Sequence, residues 1–446
     1  MKTSNQTYFS LLVFIALSSA MGQTTIQERF PLIQSRNQQT ITGGFGATII
    51  DGKPYYLVHL RPELSFGKLG VGLDLNLRIG EDGKVRKEDF NETYDYLRII
   101  RYIRYGQKTD PLYIRAGNMD AARLGHGSII YLYRNTASYD MRRVGIELDA
   151  DLENFGFETV LGDLFNAGVF GVRGYVRPLQ FTEAAAAPVL GNLEVGVSYA
   201  SDFHSNANKT WGDATGLLTR AVDDGTLALF GFDLGFPLIK SSSFSTTFYS
   251  DYVKIANYGS GTSVGIDLNF SGLSLVTLNA KYERRFVGEQ FLPTYFGALY
   301  EKERYTTPDT AHFMTKVQRL KTAPSYEGYY GEFMISILNS FNILGGYHSP
   351  VGMKNAGTLH AELDAGEAIP GIVVLAGYDK SNIGPVFKVD NNSILYALVG
   401  YKPMPYLVVS MLYEWTFAEE KDDTGKVLGY KAQRRIEPKI GLVVSF

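Results

Sequence analysis

Between Leu69 and Gly80 apolar and polar positions alternate strictly. Leu69, Val71, Leu73, Leu75, Leu77 and Ile79 fall on one parity, and Gly70, Gly72, Asp74, Asn76, Arg78 and Gly80 on the other. Successive side chains of a β-strand point to opposite faces, so the segment reads as a strand with one greasy and one wet face. The segment before it carries Tyr56, Val58, Leu60, Leu64 and Phe66 against His59, Arg61, Glu63 and Ser65, with Gly67 and Lys68 between the two runs. That is a hairpin with one apolar face. The signature recurs in Val144, Ile146 and Leu148 against Arg143, Glu147 and Asp149, and in Phe170, Val172 and Val176 against Arg173, Tyr175 and Arg177. It recurs again in Leu359, Ala361 and Leu363 against His360, Glu362 and Asp364.

Strands are predicted at about 40–50, 55–66, 69–80, 95–106, 112–117, 141–151, 155–163, 168–178, 192–202 and 226–236, and further along at about 243–255, 261–270, 274–285, 326–338, 341–348, 357–365, 371–379, 393–402, 406–417 and 430–446. The total is about twenty, with 18 or 16 as alternatives. The connections alternate in length. Short ones fall at 67–68, 152–154, 271–273, 339–340 and 403–405, long ones at 81–94, 118–140, 203–225, 286–324 and 381–392. A soluble sandwich has no reason to sort its connections this way. A closed transmembrane barrel does, with short periplasmic turns and long extracellular loops. Two connections fit poorly: 179–192 is long for an inner turn, and 164–166 is short for an outer loop.

The N-terminus gives the destination. Lys2, the apolar run Leu11–Leu17 and the small residues Ser18, Ser19, Ala20 and Gly22 follow the order of a secretory signal peptide. Residues 1–22 are expected to be removed, with cleavage after Ala20 as the alternative, leaving 23–446 as one barrel domain. The end of the chain, Ile436–Phe446 (IEPKIGLVVSF), alternates once more and stops on an aromatic. It resembles the C-terminal sorting signal of Gram-negative outer-membrane β-barrel proteins, and the whole pattern is porin-like without matching a named subfamily. The resemblance implies an all-β fold, a closed antiparallel up-and-down barrel in the cell outer membrane. It also implies the lipid bilayer and the outer-membrane assembly machinery as partners, the latter reading Phe446. Siderophore-type transporters of this broad class carry an N-terminal plug domain; only Gln23–Gln39 precedes the first strand here, so none is expected.

Composition narrows the chemistry. With 43 basic against 46 acidic residues, a net charge of −3 and no basic run, a charge-driven nucleic-acid binder is disfavoured and no nucleic-acid partner is expected. Cysteine is absent, which removes disulfides and thiolate metal sites. The 30 Tyr include candidates for interfacial girdles at Tyr55, Tyr56, Tyr199, Tyr252, Tyr282, Tyr329, Tyr401 and Tyr413, with Trp415 beside them. A GxSxG match at Gly261–Gly265 has no helix after it, so the nucleophile-elbow context is missing and no enzyme is expected. His360 with Glu362 and Asp364, and His59 with Glu63, share strand faces but form no metal motif. No cofactor or metal is expected.

A barrel this wide with a charged inner wall either holds water or folds loops inward. The inner-face candidates are Arg61, Glu63, Arg143, Glu147, Asp149, Arg173, Arg177, Lys281, Glu283, Glu362, Asp364, Arg435, Glu437 and Lys439. Charges of both signs resemble a porin eyelet, although adjacent strands pairing them into ladders is the alternative. Arg123 and His126, between glycines in Asn118–Ser128, are candidates for a constriction loop; 286–324 is either a second constriction, a surface cap or a partner-binding loop. One strand breaks the rule. In Tyr96–Gly106 (YLRIIRYIRYG), Arg101 shares a parity with Leu97, Ile99, Ile103 and Tyr105. Either Arg101 sits at the headgroup level and snorkels, or, the favoured reading, a β-bulge near Ile100 and Arg101 turns Arg98, Arg101 and Arg104 inward beside Arg115. The expected function is passive diffusion of small polar solutes or ions; the alternative is a structural or receptor barrel with a closed lumen whose outer loops bind a partner.

Overall fold

The computed structural model describes residues 40–445 except 51, 91–92, 98, 109, 120, 136–142, 166–167, 188, 204–208, 212–220, 224–226, 242, 273–274, 305–315, 339, 355, 366–367, 382, 384–392, 405–406 and 422–426. The signal peptide, Arg98 and Phe446 therefore lie outside the described residues, as does the side chain of Lys439.

The sheet holds 21 hydrogen-bonded segments. Leu69–Leu73 and Leu75–Ile79 are halves of one strand interrupted at Asp74, both pairing with Lys53–Phe66, so the barrel has twenty staves. Each stave runs antiparallel to its sequence neighbours, and Thr40–Ile50 closes the ring by pairing with Val427–Ser445, from Thr40 opposite Ser445 to Ile50 opposite Arg435. Closure gives the first and last described staves each other as partners in place of free edges, the condition for a sheet in hydrocarbon. Gly67 holds φ +62° in the two-residue turn after Phe66, a conformation that side chains with a Cβ rarely adopt.

Polarity is inverted relative to a water-soluble protein. Val197 and Phe232, opposite each other on neighbouring staves, are 60% and 44% exposed, and Phe45, Phe230, Tyr282, Phe333, Val399 and Ile440 also face outward. Arg78, Arg173, Glu283, Arg435 and Glu437 are buried to 2% or less. An apolar outside around a charged inside is the distribution of a membrane-spanning barrel. Tyr56, Tyr252, Tyr282, Tyr329 and Tyr401 of the expected girdles are exposed on the outer face.

The irregular strand differs from expectation at one end and agrees at the other. Thr93–Leu97 is a short helix, where a strand from 95 was expected. Loop residues Lys84–Arg86 fold back on the preceding stave, with Gly80 N–H donating to Lys84 O and Arg86 N–H to Arg78 O, and they occupy the edge that 95–99 would need. The strand proper is Ile100–Tyr105. Its register with Leu69–Leu73 slips at Arg101: Gly72 faces Tyr102 while Leu73 faces Ile100. The extra residue is a bulge that buries Arg101 and Arg104 inside and leaves Ile100, Ile103 and Tyr105 outside. The 179–192 connection forms three short 3-10 turns, Pro178–Phe181, Glu183–Ala186 and Leu190–Asn192.

Two outcomes follow. Val197→Arg places a cation in lipid and should cost about 2–4 kcal/mol in a denaturant titration of the folded barrel, whereas Asn279→Arg, on the inner wall, should cost less than about 1 kcal/mol. Deleting Arg101 removes the bulge yet keeps the alternation, so the deletion should still give a heat-modifiable barrel on unheated gels; loss of assembly would contradict the register.

Candidate functional site in the barrel lumen

Two inter-strand segments enter the lumen. The first, Asn118–Asn135, leaves the stave Leu112–Gly117 and buries Met119, Ala122, Leu124, Ile129, Ile130 and Tyr133. The second, from Gly288 to Ala323, buries Phe291, Tyr295, Phe296, Tyr300 and Leu320. They are joined backbone to backbone: Thr294 N–H donates to Ser128 O (3.0 Å), Phe296 N–H to Ile129 O (3.0 Å) and Tyr131 N–H to Phe296 O (3.2 Å). Both pack on an apolar stretch of inner wall formed by Val160, Val169, Ala200, Leu229, Val253, Ile255 and Val287. Gly171 makes this packing possible, since a Cβ there would sit 2.4 Å from Ile130 Cδ1. Gly261, the first glycine of the GxSxG match, does the same for the ring of Phe291, a packing reason for a motif with no catalytic context.

Polar anchors fix the segments to the wall. The Asn135 side-chain amide is fully buried, accepting from Met119 N–H and donating to Arg143 O and Gly162 O, each at 3.0 Å. Tyr133 donates its hydroxyl to Glu301 (2.6 Å), which also pairs with Arg143 (2.5 Å). Tyr300 donates to Asp202 at 2.9 Å, and Arg304 pairs with the same carboxylate.

Two cavities lined by charged side chains lie beside the inserted segments. One, of about 470 Å³, is lined by Arg123, His126, Glu158, Arg173, Glu194, Asp267, Lys281 and Glu332, and by Ser241 and Ser271 from the short-turn end. The other, of about 200 Å³ on the long-loop side, is lined by Arg285, Glu303, Lys316, Arg319, His348, His360, Asp379 and Lys380. Tyr131 borders both. Its ring meets Tyr330 edge-on at 6.2 Å, Lys281 lies 4.5 Å over it, Arg285 lies 4.4 Å over Tyr330, and both hydroxyls donate to Glu332. A tyrosine pair flanked by two cations forms the waist.

Most of the expected inner-wall charges face inward but are paired. Glu63 binds Arg101 (3.0 Å), Glu147 and Asp149 share Lys108 (3.0 and 2.9 Å), and Glu362 meets Arg134 (3.4 Å). Arg177 bridges Asp151 (2.8 Å) and Glu194 (3.0 Å), Lys281 holds Glu283 (2.9 Å), and Arg435 holds Glu437 (3.0 Å) and Glu414. Arg115 donates to Asn118 O and Arg104 to Gly106 O, ends of turns rather than open lumen. Arg61 and Asp364 are half-buried. Arg123 is the exception: it is solvent-exposed, lines the larger cavity and makes no ion pair among the described residues. The alternation-based reading missed the apolar inner wall. Its signal was present, since Val160, Leu229, Val253 and Ile255 share the parity of Glu158, Asp233 and Asp251 and cluster toward the long-loop ends.

No family model matches the sequence, and no curated protein matches it. Solved structures similar to the chain include three proteins of Pseudomonas aeruginosa. OccK11 (OpdR) is 10% identical over 92% of this chain and 95% of that one, with a TM-score of 0.30. The outer membrane protein opdK is 10% identical over 92% and 99%, with a TM-score of 0.30, and the siderophore receptor PirA is 10% identical over 92% and 81%, with a TM-score of 0.36. Likenesses this distant say nothing about solute. The fold itself, a closed barrel of twenty antiparallel staves, apolar outside and largely charged inside, is that of a membrane-spanning β-barrel.

Proposed function

We propose that the barrel is a passive pore for small polar solutes or ions. The observation that carries this reading is the pair of charge-lined cavities meeting at Tyr131, one toward each mouth of the barrel. Diffusion pores need a polar path narrowed at one level, where opposed charges order water and select solutes. Here Asp267 faces Lys281 and Lys281 faces Glu332 on successive staves, while Arg123 stands unpaired beside them. Paired wall charges hold the staves in register, and the unpaired guanidinium sets the sign of the field. In the same reading Phe446 is the signal for the assembly machinery.

A closed receptor or structural barrel is the second reading, favoured by the packing of Tyr131, Leu132 and Tyr330 across the waist. Conductance separates the two. In planar bilayers the purified barrel should give discrete channels, and Tyr131→Ala should raise their unit conductance about twofold; a silent wild type and a silent variant would favour the closed barrel. Arg123→Gln should move the reversal potential in a salt gradient toward cation preference, while Arg101→Gln, which alters a paired wall charge, should leave it in place.

A further inference from the structure

Two aspartates stand directly opposite each other inside the barrel. Asp233 on Ala228–Lys240 pairs in register with Asp251 on Phe244–Ile255, and both are buried, at 5% and 4% exposure. Like charges directly across neighbouring strands repel, and burial strengthens the repulsion. Among the described residues a second acidic pair stands in register, Asp149 opposite Glu158, and each member has a cation: Lys108 for Asp149 (2.9 Å) and Arg173 for Glu158 (2.9 Å). At Asp233 and Asp251 the supply is one-sided. Arg173 donates to both oxygens of Asp233, at 2.6 and 2.9 Å, but the same guanidinium also serves Glu158 and Glu194, of which only Glu194 has a second ion-pair partner among the described residues, Arg177. Asp251 receives only the Ser128 hydroxyl on Oδ2 (2.5 Å), and its Oδ1 has no hydrogen-bond partner among the described residues.

The third group comes from the inserted segment. His126 stacks on Tyr249, with centroids 4.2 Å apart and planes 7° from parallel, and its main-chain carbonyl accepts from Lys281. The ring is thereby aimed with Nε2 3.9 Å from Asp233 Oδ1, and Nε2 too has no hydrogen-bond partner among the described residues. One ligand atom from each of His126, Asp233 and Asp251 lies within 4.8 Å of the others. Ligands at bond lengths of about 2 Å around a tetrahedral ion stand roughly 3.3 Å apart, so small side-chain rotations close the gap.

We propose that His126, Asp233 and Asp251 bind a divalent transition-metal ion, best matched by zinc, which clamps the inserted segment to two staves of the wall. An imidazole with two carboxylates selects a first-row transition ion over calcium or magnesium, which take all-oxygen sets. The ion supplies the positive charge that Asp251 lacks and joins the inserted segment to these two staves, to which Ser128 otherwise gives a single hydroxyl. His126 lines the larger cavity, which gives the ion a path of entry and leaves a coordination position for water. The inference is independent of whether the barrel conducts.

The test uses the full barrel, without a histidine tag, folded in detergent micelles and checked by its heat-modifiable mobility. Calorimetric titration with zinc chloride should show one equivalent bound, with calcium chloride giving no saturable binding in the same range. His126→Gln and Asp251→Asn should each weaken zinc at least about tenfold while the folded mobility is unchanged. Zinc-edge absorption spectroscopy on the wild type needs no variant and should show a single imidazole with oxygen ligands. A wild type that takes up no zinc, a spectrum with two or more imidazoles, or equal affinity in a folded variant would each overturn the assignment.

Discussion

Every feature of this molecule depends on the impossibility of leaving a peptide group unpaired in hydrocarbon. An N–H or C=O without a partner costs several kcal/mol there, so the sheet has to return to its first strand. Thr40–Ile50 against Val427–Ser445 is that return. Once the ring is closed with its apolar parity outward, the other parity has nowhere to go but inward. Arginines and glutamates that would be solvated on a soluble sheet are then crowded into a common interior. The ion-pair ladders and the inserted segments are both answers to that crowding, one cancelling charge and the other replacing water with packed side chains.

The two answers occupy different heights of the same strands. On Ala228–Lys240 and Phe244–Ile255 the inner face changes from Asp233 and Asp251 to Leu229, Val253 and Ile255 within two or four residues. The apolar end receives Ile129, Ile130 and Phe296, and the charged end bounds the larger cavity's neighbourhood. Position along a stave, as well as parity, decides what a residue faces.

That distinction separates what the sequence makes legible from what it hides. Parity is a local property: Leu69 to Gly80 declares its two faces without reference to any partner, and the twenty staves and the sorting of short and long connections can be read from such runs, while the inward Arg101 is legible only because an arginine on the lipid parity is costly enough to demand a bulge. Height is set by how segments far apart in the chain meet. Val253 and Ile255 look like exceptions to a charged face until Ile130 and Phe296 are brought against them. Thr93–Leu97 continues an apolar pattern yet has lost its partner edge to Lys84–Arg86, a competition that no single segment records. The juxtaposition of His126 with Asp233 and Asp251 depends on strand register and loop insertion together, so no spacing in the chain announces it.

The backbone pairing of Ile129 and Tyr131 with Phe296 has a bearing on how the barrel is made. The first inserted segment precedes the second by more than 150 residues in the chain, and its pairing with Phe296 is complete only when the staves on both sides of Gly288–Ala323 exist. Closing a loop of that length carries an entropic cost that local hairpins do not, so the hairpins form first and the two segments meet late. Until then the apolar faces that the two segments cover for each other stay open, and exposed apolar surface of that kind makes a partly closed barrel prone to association.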